Sequence, residues 1–178
     1  MKKKEGTTRT VYIFKYIVIK FPLIKIAKAF KHYKSVHGNK RKTELIERAL
    51  QKRPFYELAY AMNTVRGLLF TGIIQNWNEF LFCIKYRYPK YVAPTFFSFF
   101  GLFNIQKYGQ ELTVDLWKFR NAIDDITKGL SGNDVHVFYR PINFCQVNGH
   151  VKCIDYGSRK TQEVLLKYGQ KIFDGLII

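Results

Sequence analysis

The most informative stretch of this 178-residue sequence is a short hairpin in its last third. Asn143–Val147 and His150–Ile154 are two alternating apolar and polar runs joined by Asn148-Gly149. Asn-Gly is the dipeptide that best suits a type I′ turn, in which both central residues have positive φ. The sequence therefore predicts two antiparallel strands here. Asp155 follows the second strand directly, so its carboxylate is expected at a strand end that faces a cleft.

Runs of β-branched and aromatic residues predict two further pairs of strands. The first pair is Val11–Phe14 and Ile17–Phe21, and Pro22 ends its second strand. The other pair is Thr95–Phe99 and Leu102–Gln106. The strands predict antiparallel sheet on both sides of a long intervening segment.

Apolar residues at helical spacing fill that intervening segment and the C-terminal part of the chain. They predict helices from Leu23 to about Phe82, with Gly72 preceding a separate helix around Asn76–Tyr86. They also predict helices at Val114–Leu130 and Thr161–Phe173. Separate strand and helix segments of this kind indicate an α+β fold.

Lysine and arginine are concentrated in the first third of the chain. Residues 1–66 contain 17 of them against 4 acidic residues, whereas residues 67–178 contain 13 against 9. One predicted helix has a lysine at every third position: Lys25, Lys28, Lys31 and Lys34. Such a surface attracts nucleic acid, anionic lipid or an acidic protein. The alternative, a lysine-rich face that only keeps the protein in solution, has equal weight.

The cysteines and apolar runs indicate where the chain resides. Cys83, Cys145 and Cys153 have no CxxC spacing, so we expect neither a zinc site nor a disulfide framework. Lysines interrupt the apolar run Val11–Phe30, and the run Tyr91–Ile105 is too short to span a bilayer. The expected location is therefore a reducing cytoplasm, without a transmembrane segment.

The segment around the hairpin contains the motif with chemical meaning. His136-Val-Phe-Tyr-Arg-Pro-Ile-Asn143, the hairpin and Asp155-Tyr156-Gly157 resemble, in order and spacing, the protein-kinase catalytic loop H-R-D-L-K-P-x-N followed by D-F-G. In kinases this Asn and this Asp supply oxygen ligands to the Mg²⁺ that bridges the ATP phosphates. The resemblance to the kinase-like superfamily therefore implies ATP and Mg²⁺ as cofactors, with Asn143 and Asp155 as metal ligands.

The resemblance extends upstream to the phosphate-binding lysine. Ile17-Val18-Ile19-Lys20 is similar to the kinase V-A-I-K strand, which implies that Lys20 holds the α- and β-phosphates. The helix containing Glu79 resembles the one that supplies the acidic partner of that lysine. Because Glu79 follows Lys20 by an unusually long interval, Glu47 and Glu57 are alternative partners.

The resemblance also covers the adenine side of a kinase cleft. Residues 103–112 look like the last strand of an N-terminal lobe running into the hinge, whose backbone bonds the adenine edge. This implies cofactor-binding positions at Gln106 and Tyr108.

Several departures from the kinase pattern concern catalysis. Phe138 occupies the position of the catalytic aspartate. Asp134 lies four residues earlier and would serve as the base only in a rearranged loop; His136 is the other catalytic candidate, although packing is its commoner use. No G-x-G-x-x-G precedes Lys20, and residues 1–10 are too short for a full glycine-rich hairpin. The lid over the phosphates is therefore expected to be missing or reduced.

The predicted architecture is a shortened protein-kinase-like fold in one domain, 1–178. It consists of an N-lobe antiparallel sheet, a long helical insertion and a truncated helical C-lobe. The corresponding segments are the first strands (1–22), the basic helical insertion (23–75), the helix-to-hinge segment (76–112) and the C-lobe with the D-Y-G motif (113–178).

Three functions are compatible with this reading. The leading hypothesis is a degenerate kinase, or pseudokinase, that binds a nucleotide, transfers phosphate weakly or not at all, and acts through protein contacts. The second is a non-enzymatic protein that binds nucleic acid or an anionic surface through the basic helices of residues 23–66. The third is an active small-molecule or lipopolysaccharide-type kinase that uses Asp134 as its base.

Overall fold

A computed structural model describes residues 1–37 and 65–176 of the chain. The strands are β1 (Lys2–Glu5), β2 (Arg9–Ile13), β3 (Ile17–Pro22), β4 (Thr95–Ser98), β5 (Asn104–Lys107), β6 (Gln110–Glu111), β7 (Phe144–Val147) and β8 (His150–Cys153). The α-helices are α1 (Ile26–His37), α2 (Val65–Lys85), α3 (Leu116–Thr127), α4 (Val135–Phe138) and α5 (Arg159–Gly175).

The first five strands form one antiparallel sheet in the order β1-β2-β3-β5-β4. Lys20 of β3 pairs with Val11 of β2 on one side and with Asn104 of β5 on the other. Because side chains alternate along a strand, these three point to the same side of the sheet, where α2 packs. The predicted α+β class and the predicted N-terminal antiparallel sheet are confirmed.

Residues 1–10, which were expected to be too short for a full glycine-rich hairpin, contain a strand that the sequence did not predict, β1. Residues 2–13 form a β1–β2 hairpin, in which the Gly6 N–H donates to the carbonyl of Arg9 over 2.8 Å. The sequence Lys2-Lys3-Lys4-Glu5 lacks the apolar alternation that predicts a strand. It is a strand because β2 offers it an open edge, and its turn, Gly6-Thr7-Thr8, contains a single glycine.

Helix α2 corrects the boundary predicted at residue 76. Gly72 was expected to separate two helices, but α2 runs without interruption from Val65 to Lys85. A Cβ at Gly72 would lie 2.8 Å from the Cβ of Pro22, so glycine is needed here for close packing and does not break the helix. The other helices predicted between Leu23 and residue 64 coincide with α1 or lie at 38–64, outside the described residues.

The second half of the chain forms a three-stranded sheet, β6-β7-β8, with helices α3 to α5. The predicted Asn148-Gly149 turn is confirmed, with φ of 52° and 79° at its two residues. The Asp115 carboxylate accepts from two backbone N–H groups at the start of α3, and the Ser158 hydroxyl accepts from the Thr161 N–H at the start of α5. Local sequence signals thus determine this half well.

The main core lies between α3, α5 and the second sheet. Its fully buried members include Ile123, Phe138, Phe144 and Leu165. The three cysteine thiols are free and buried, and burial raises the pKa of each, in the case of Cys145 to about 11. None of the helices in the described ranges is long and apolar enough to cross a membrane.

Candidate functional site

Lys20 and Glu79 form a buried ion pair between the first sheet and α2. The Lys20 Nζ lies 2.8 Å from Oε2 of Glu79. Lys20 is 4% exposed and Glu79 is completely buried. The pair predicted from the sequence is therefore present. Glu47 and Glu57, the alternative partners, lie outside the described residues.

Arg9 joins this pair, and sequence analysis missed it. Its Nη1 lies 2.6 Å from Oε1 of Glu79, and its Nη2 forms an ion pair with Oδ1 of Asp155. Each oxygen of Glu79 therefore has its own cation. Alternation along β2 was the available signal, because it places Arg9 and Val11 on the same side of the sheet as Lys20.

Asp155 enters the site from the second half of the chain. It follows β8 closely, and the Lys20 Nζ donates a 2.5 Å hydrogen bond to the carbonyl of Ile154. Lys20 therefore reaches the residue next to Asp155, as the sequence predicts. The Asp155 side chain is 35% exposed, so this end of the network meets solvent.

Two cations and two carboxylates balance each other in the network of Arg9, Lys20, Glu79 and Asp155. Burial works against the charged form of Asp155, but the charges of Arg9 and Lys20 prevail and hold its pKa below the ordinary value. Burial, together with the nearby Arg9, lowers the pKa of Lys20 despite its acidic partners. For Arg9, the negative charges of Asp155 and Glu79 outweigh burial and raise the pKa. The two positive and two negative charges of the network cancel only while all four residues are present.

Asn76 fixes the network to the backbone. It lies one helical turn before Glu79, on the same face of α2. Its Oδ1 accepts from Arg9 Nη1 at 3.4 Å. Its Nδ2 donates to the carbonyls of Lys20 at 3.3 Å and Gly101 at 3.0 Å. The Asn76 amide and the buried ion pairs therefore link β2, β3 and the β4–β5 turn to α2.

The catalytic-loop-like segment is shaped by Asn143 and Phe138. The Asn143 Nδ2 donates to the carbonyls of His136 at 2.8 Å and Val137 at 3.3 Å, which closes the loop before β7. Phe138 is fully buried and its ring lies 6.1 Å from that of Phe144. The position that the kinase resemblance assigns to the catalytic aspartate therefore points into the core.

The two predicted catalytic residues occupy different surroundings. Oδ2 of Asp134 accepts hydrogen bonds from the hydroxyls of Ser158 and Thr161, each at 2.6 Å. This contact ties the loop before α4 to the start of α5. The side chain of His136 is exposed. The structure thus gives Asp134 hydroxyl contacts at the start of α5, whereas Asp155 faces the charge network.

The predicted hinge residues use their polar groups within the protein. The Gln106 Nε2 donates to the carbonyl of Ala93 at 2.9 Å, and the Tyr108 hydroxyl donates to Glu111 at 3.3 Å. The backbone N–H groups of Lys107 and Tyr108 donate to the carbonyls of Pro94 and Tyr16. An adenine base bound beside the end of β5 would therefore have to form hydrogen bonds with other backbone groups.

The fit of Mg²⁺ depends on Arg9. Asn143 and Asp155 supply the oxygen atoms that the resemblance implies as ligands, but Oδ1 of Asp155 is held by the guanidinium of Arg9. Within residues 1–37 and 65–176, no group of three or more His, Cys, Asp or Glu side chains is arranged to hold a metal ion. Mg²⁺ at a nucleotide site needs only one or two protein carboxylates, so the fit depends on Asp155, and Arg9 would have to leave it before Mg²⁺ could bind there.

Comparisons with protein-family models and with curated protein sequences do not place this chain in a family. No protein-family model matches the chain, and no curated protein sequence is significantly similar to it. The functional assignment therefore rests on the residues and contacts of the charge network.

Proposed function

We propose that this chain is a degenerate kinase-like protein that binds a nucleotide weakly beside the charge network and acts through protein contacts. One observation carries the proposal: Glu79 of α2 is bonded to Lys20 of the third strand and, through Arg9, is linked to Asp155 of D-Y-G. In active kinases a lysine on the third strand pairs with a glutamate on the next helix, and the D-F-G aspartate faces the phosphates. The order and mutual positions of these three residues support a kinase-like ancestry.

Two features support weak or absent phosphotransfer. Phe138 leaves no carboxylate to accept the proton of a substrate hydroxyl, because its ring is packed in the core. Arg9 also neutralises Asp155, so a metal-bound nucleotide would have to displace a buried arginine from two carboxylates. Since breaking a buried ion pair costs several kcal/mol, nucleotide affinity should be low.

A thermal-shift titration tests nucleotide binding directly. Wild-type protein is titrated with ATP in the presence of Mg²⁺ and, separately, of EDTA. We expect a small ATP-dependent rise in Tm, whereas inorganic phosphate at the same ionic strength should give no comparable rise. Absence of any ATP effect in both buffers would remove the nucleotide from the proposal.

A second candidate function, nucleic-acid binding, is supported by α1. Lys28, Lys31 and Lys34 are exposed on this helix, whereas Ala29 is buried on its opposite side. Lysines on one exposed face can neutralise successive phosphates of a nucleic-acid backbone. Electrophoretic mobility shift at two salt concentrations measures this binding.

A further inference from the structure

The outer strands of the two sheets are joined by ion pairs at Glu111. Strand β1 is at the edge of the first sheet and β6 at the edge of the second. The Lys4 Nζ lies 2.6 Å from Oε1 of Glu111, and the Lys2 Nζ lies 3.2 Å from the same oxygen. The Tyr108 hydroxyl donates to this oxygen over 3.3 Å. We call Lys2, Lys4 and Glu111 the edge latch.

The register of β1 places both latch lysines on the side of the first sheet that faces the second half of the chain. Lys4 is paired with Val11, and Lys2 with Ile13. Val11 is in turn paired with Lys20, and directly paired residues share one face of a sheet. Because side chains alternate along a strand, all five lie on this face. The edge latch therefore crosses the opening of the space between the two sheets.

An apolar slot lies behind the edge latch, between the sheets. Residues from both sheets and from the segment that connects them form it; they include Val11, Ile13, Val18, Tyr108, Cys145 and Val147. Cys145 is the strand partner of Glu111, so the two side chains lie on the same face of the second sheet. The thiol of Cys145 is completely buried. Separation of β1 from β6 would expose it to solvent.

The edge latch is open to solvent, although the slot behind it is closed. The side chains of Lys2 and Glu111 are 61% and 44% exposed. The hydrogen bond from Lys4 lowers the pKa of Glu111, so the carboxylate is charged at neutral pH. Exposed ion pairs of this kind are weak and are screened by salt. The main core lies on the opposite face of the second sheet, where Phe144 points, so release of the latch leaves it intact.

We propose that the edge latch holds the slot closed and that a nucleotide enters only when Lys2 and Lys4 release Glu111. The entry of a nucleotide rests on the proposed function, whereas the latch itself does not. A protein whose binding-competent state is a minor one has an apparent affinity reduced by the fraction that is open. The latch therefore gives a second physical reason for weak nucleotide binding, besides the displacement of Arg9 from Asp155.

The reactivity of the Cys145 thiol measures opening of the slot. Folded protein is treated with N-ethylmaleimide at one pH, and mass spectrometry of its peptides locates the label. We expect Glu111→Gln to label about fivefold faster at Cys145, and added salt to accelerate labelling in the wild type but not in this variant. Glu5→Gln is the matched control, because Glu5 pairs with Lys3 on the other face of β1, and it should label at the wild-type rate.

The other two cysteines are internal controls. Cys83 and Cys153 are buried in the main core and should label at the same slow rate in all variants. Equal acceleration at all three thiols in Glu111→Gln would show general destabilisation and would overturn the proposal. Unchanged labelling of Cys145 in that variant would overturn it as well.

A charge exchange separates electrostatic closure from a structural role of Glu111. Glu111→Lys should label faster still at Cys145, because three cations then face one another, and addition of Lys4→Glu should restore slow labelling. Fast labelling in the double variant would contradict an electrostatic latch.

Titration with ATP and Mg²⁺ connects the latch to ligand entry. The affinity of Glu111→Gln for ATP should rise by the same factor as its Cys145 labelling rate. Equal ATP affinities in a variant that labels faster would overturn the role of the latch in ligand entry. Absence of ATP binding in both proteins would instead refute the proposed function, and the labelling rates alone would then decide whether the latch exists.

Discussion

Arg9 and Asp155 lie 146 positions apart in the sequence and form an ion pair across the two halves of the fold. Arg9 comes from the second strand, directly after the first turn, and Asp155 follows the eighth strand. In the proposed pseudokinase the arginine occupies the charge-neutralising position at the D-Y-G aspartate. The relationship therefore connects the stability of the fold with the low nucleotide affinity that we propose.

Glu79→Gln should be strongly destabilising. The change leaves Arg9 and Lys20 buried with one carboxylate between them, and loss of one partner from a buried ion network costs about 3–5 kcal/mol. The free energy of unfolding in urea measures the effect. Glu163→Gln is the matched control, because Glu163 forms an exposed pair with Arg159 on α5, and it should change stability by less than about 0.5 kcal/mol. Equal effects of the two substitutions would contradict a network dependent on Glu79.

Acid should destabilise the protein partly through Asp155. The pKa of Asp155 is lower in the folded protein than its ordinary 3.8, so the unfolded chain takes up its proton first as the pH falls. The stabilisation is present above the ordinary pKa and is lost as the pH falls through the folded-state pKa, from about pH 5 downwards. Asp155→Asn should therefore flatten the acid limb of a plot of unfolding free energy against pH. Asp174→Asn, at an exposed carboxylate on α5, should keep the wild-type slope.

Asp155 and Asp134 should differ in their effect on nucleotide binding. Asp155→Ala should abolish the ATP-dependent rise in Tm measured with Mg²⁺, because it removes the carboxylate that a metal-bound nucleotide would use after displacing Arg9. Asp134→Ala should leave that rise intact while lowering stability by about 1 kcal/mol, since it removes the acceptor of the Ser158 and Thr161 hydroxyls. A phosphotransfer assay on both variants completes the test. Robust transfer by the wild type that disappears in Asp134→Ala would favour the active small-molecule kinase.

Charge reversal on α1 should weaken polyanion binding. Replacing Lys28, Lys31 and Lys34 by Glu should reduce the slope of log affinity against log salt by about three, because fewer counterions are released. A variant with the same net charge, in which the exposed α5 lysines 160, 167 and 171 are replaced by Glu, controls for overall charge. If both variants bind nucleic acid equally, α1 is a solubilising face.

Short-range signals in the sequence determined much of the secondary structure. Asn148-Gly149 fixes its hairpin because both residues accept positive φ, and Asp115 starts α3 because its carboxylate satisfies free N–H groups. The kinase resemblance indicated an acidic partner for Lys20, but the sequence left Glu79, Glu47 and Glu57 as alternatives, and the structure places Glu79 against Lys20.

Tertiary structure alone decided the remaining features. Lys2–Glu5 is a strand only because β2 presents an unpaired edge, and Gly72 continues α2 because Pro22 packs against it, neither of which is encoded nearby in the sequence. The role of Arg9 depends on residues 70 and 146 positions away. Alternation along β2 places Arg9 on the Lys20 side of the sheet, but only the tertiary structure brings Glu79 and Asp155 to it. Arg9 is buried in the folded protein. A charged group removed from water needs a partner of opposite sign, and only the folded chain supplies one.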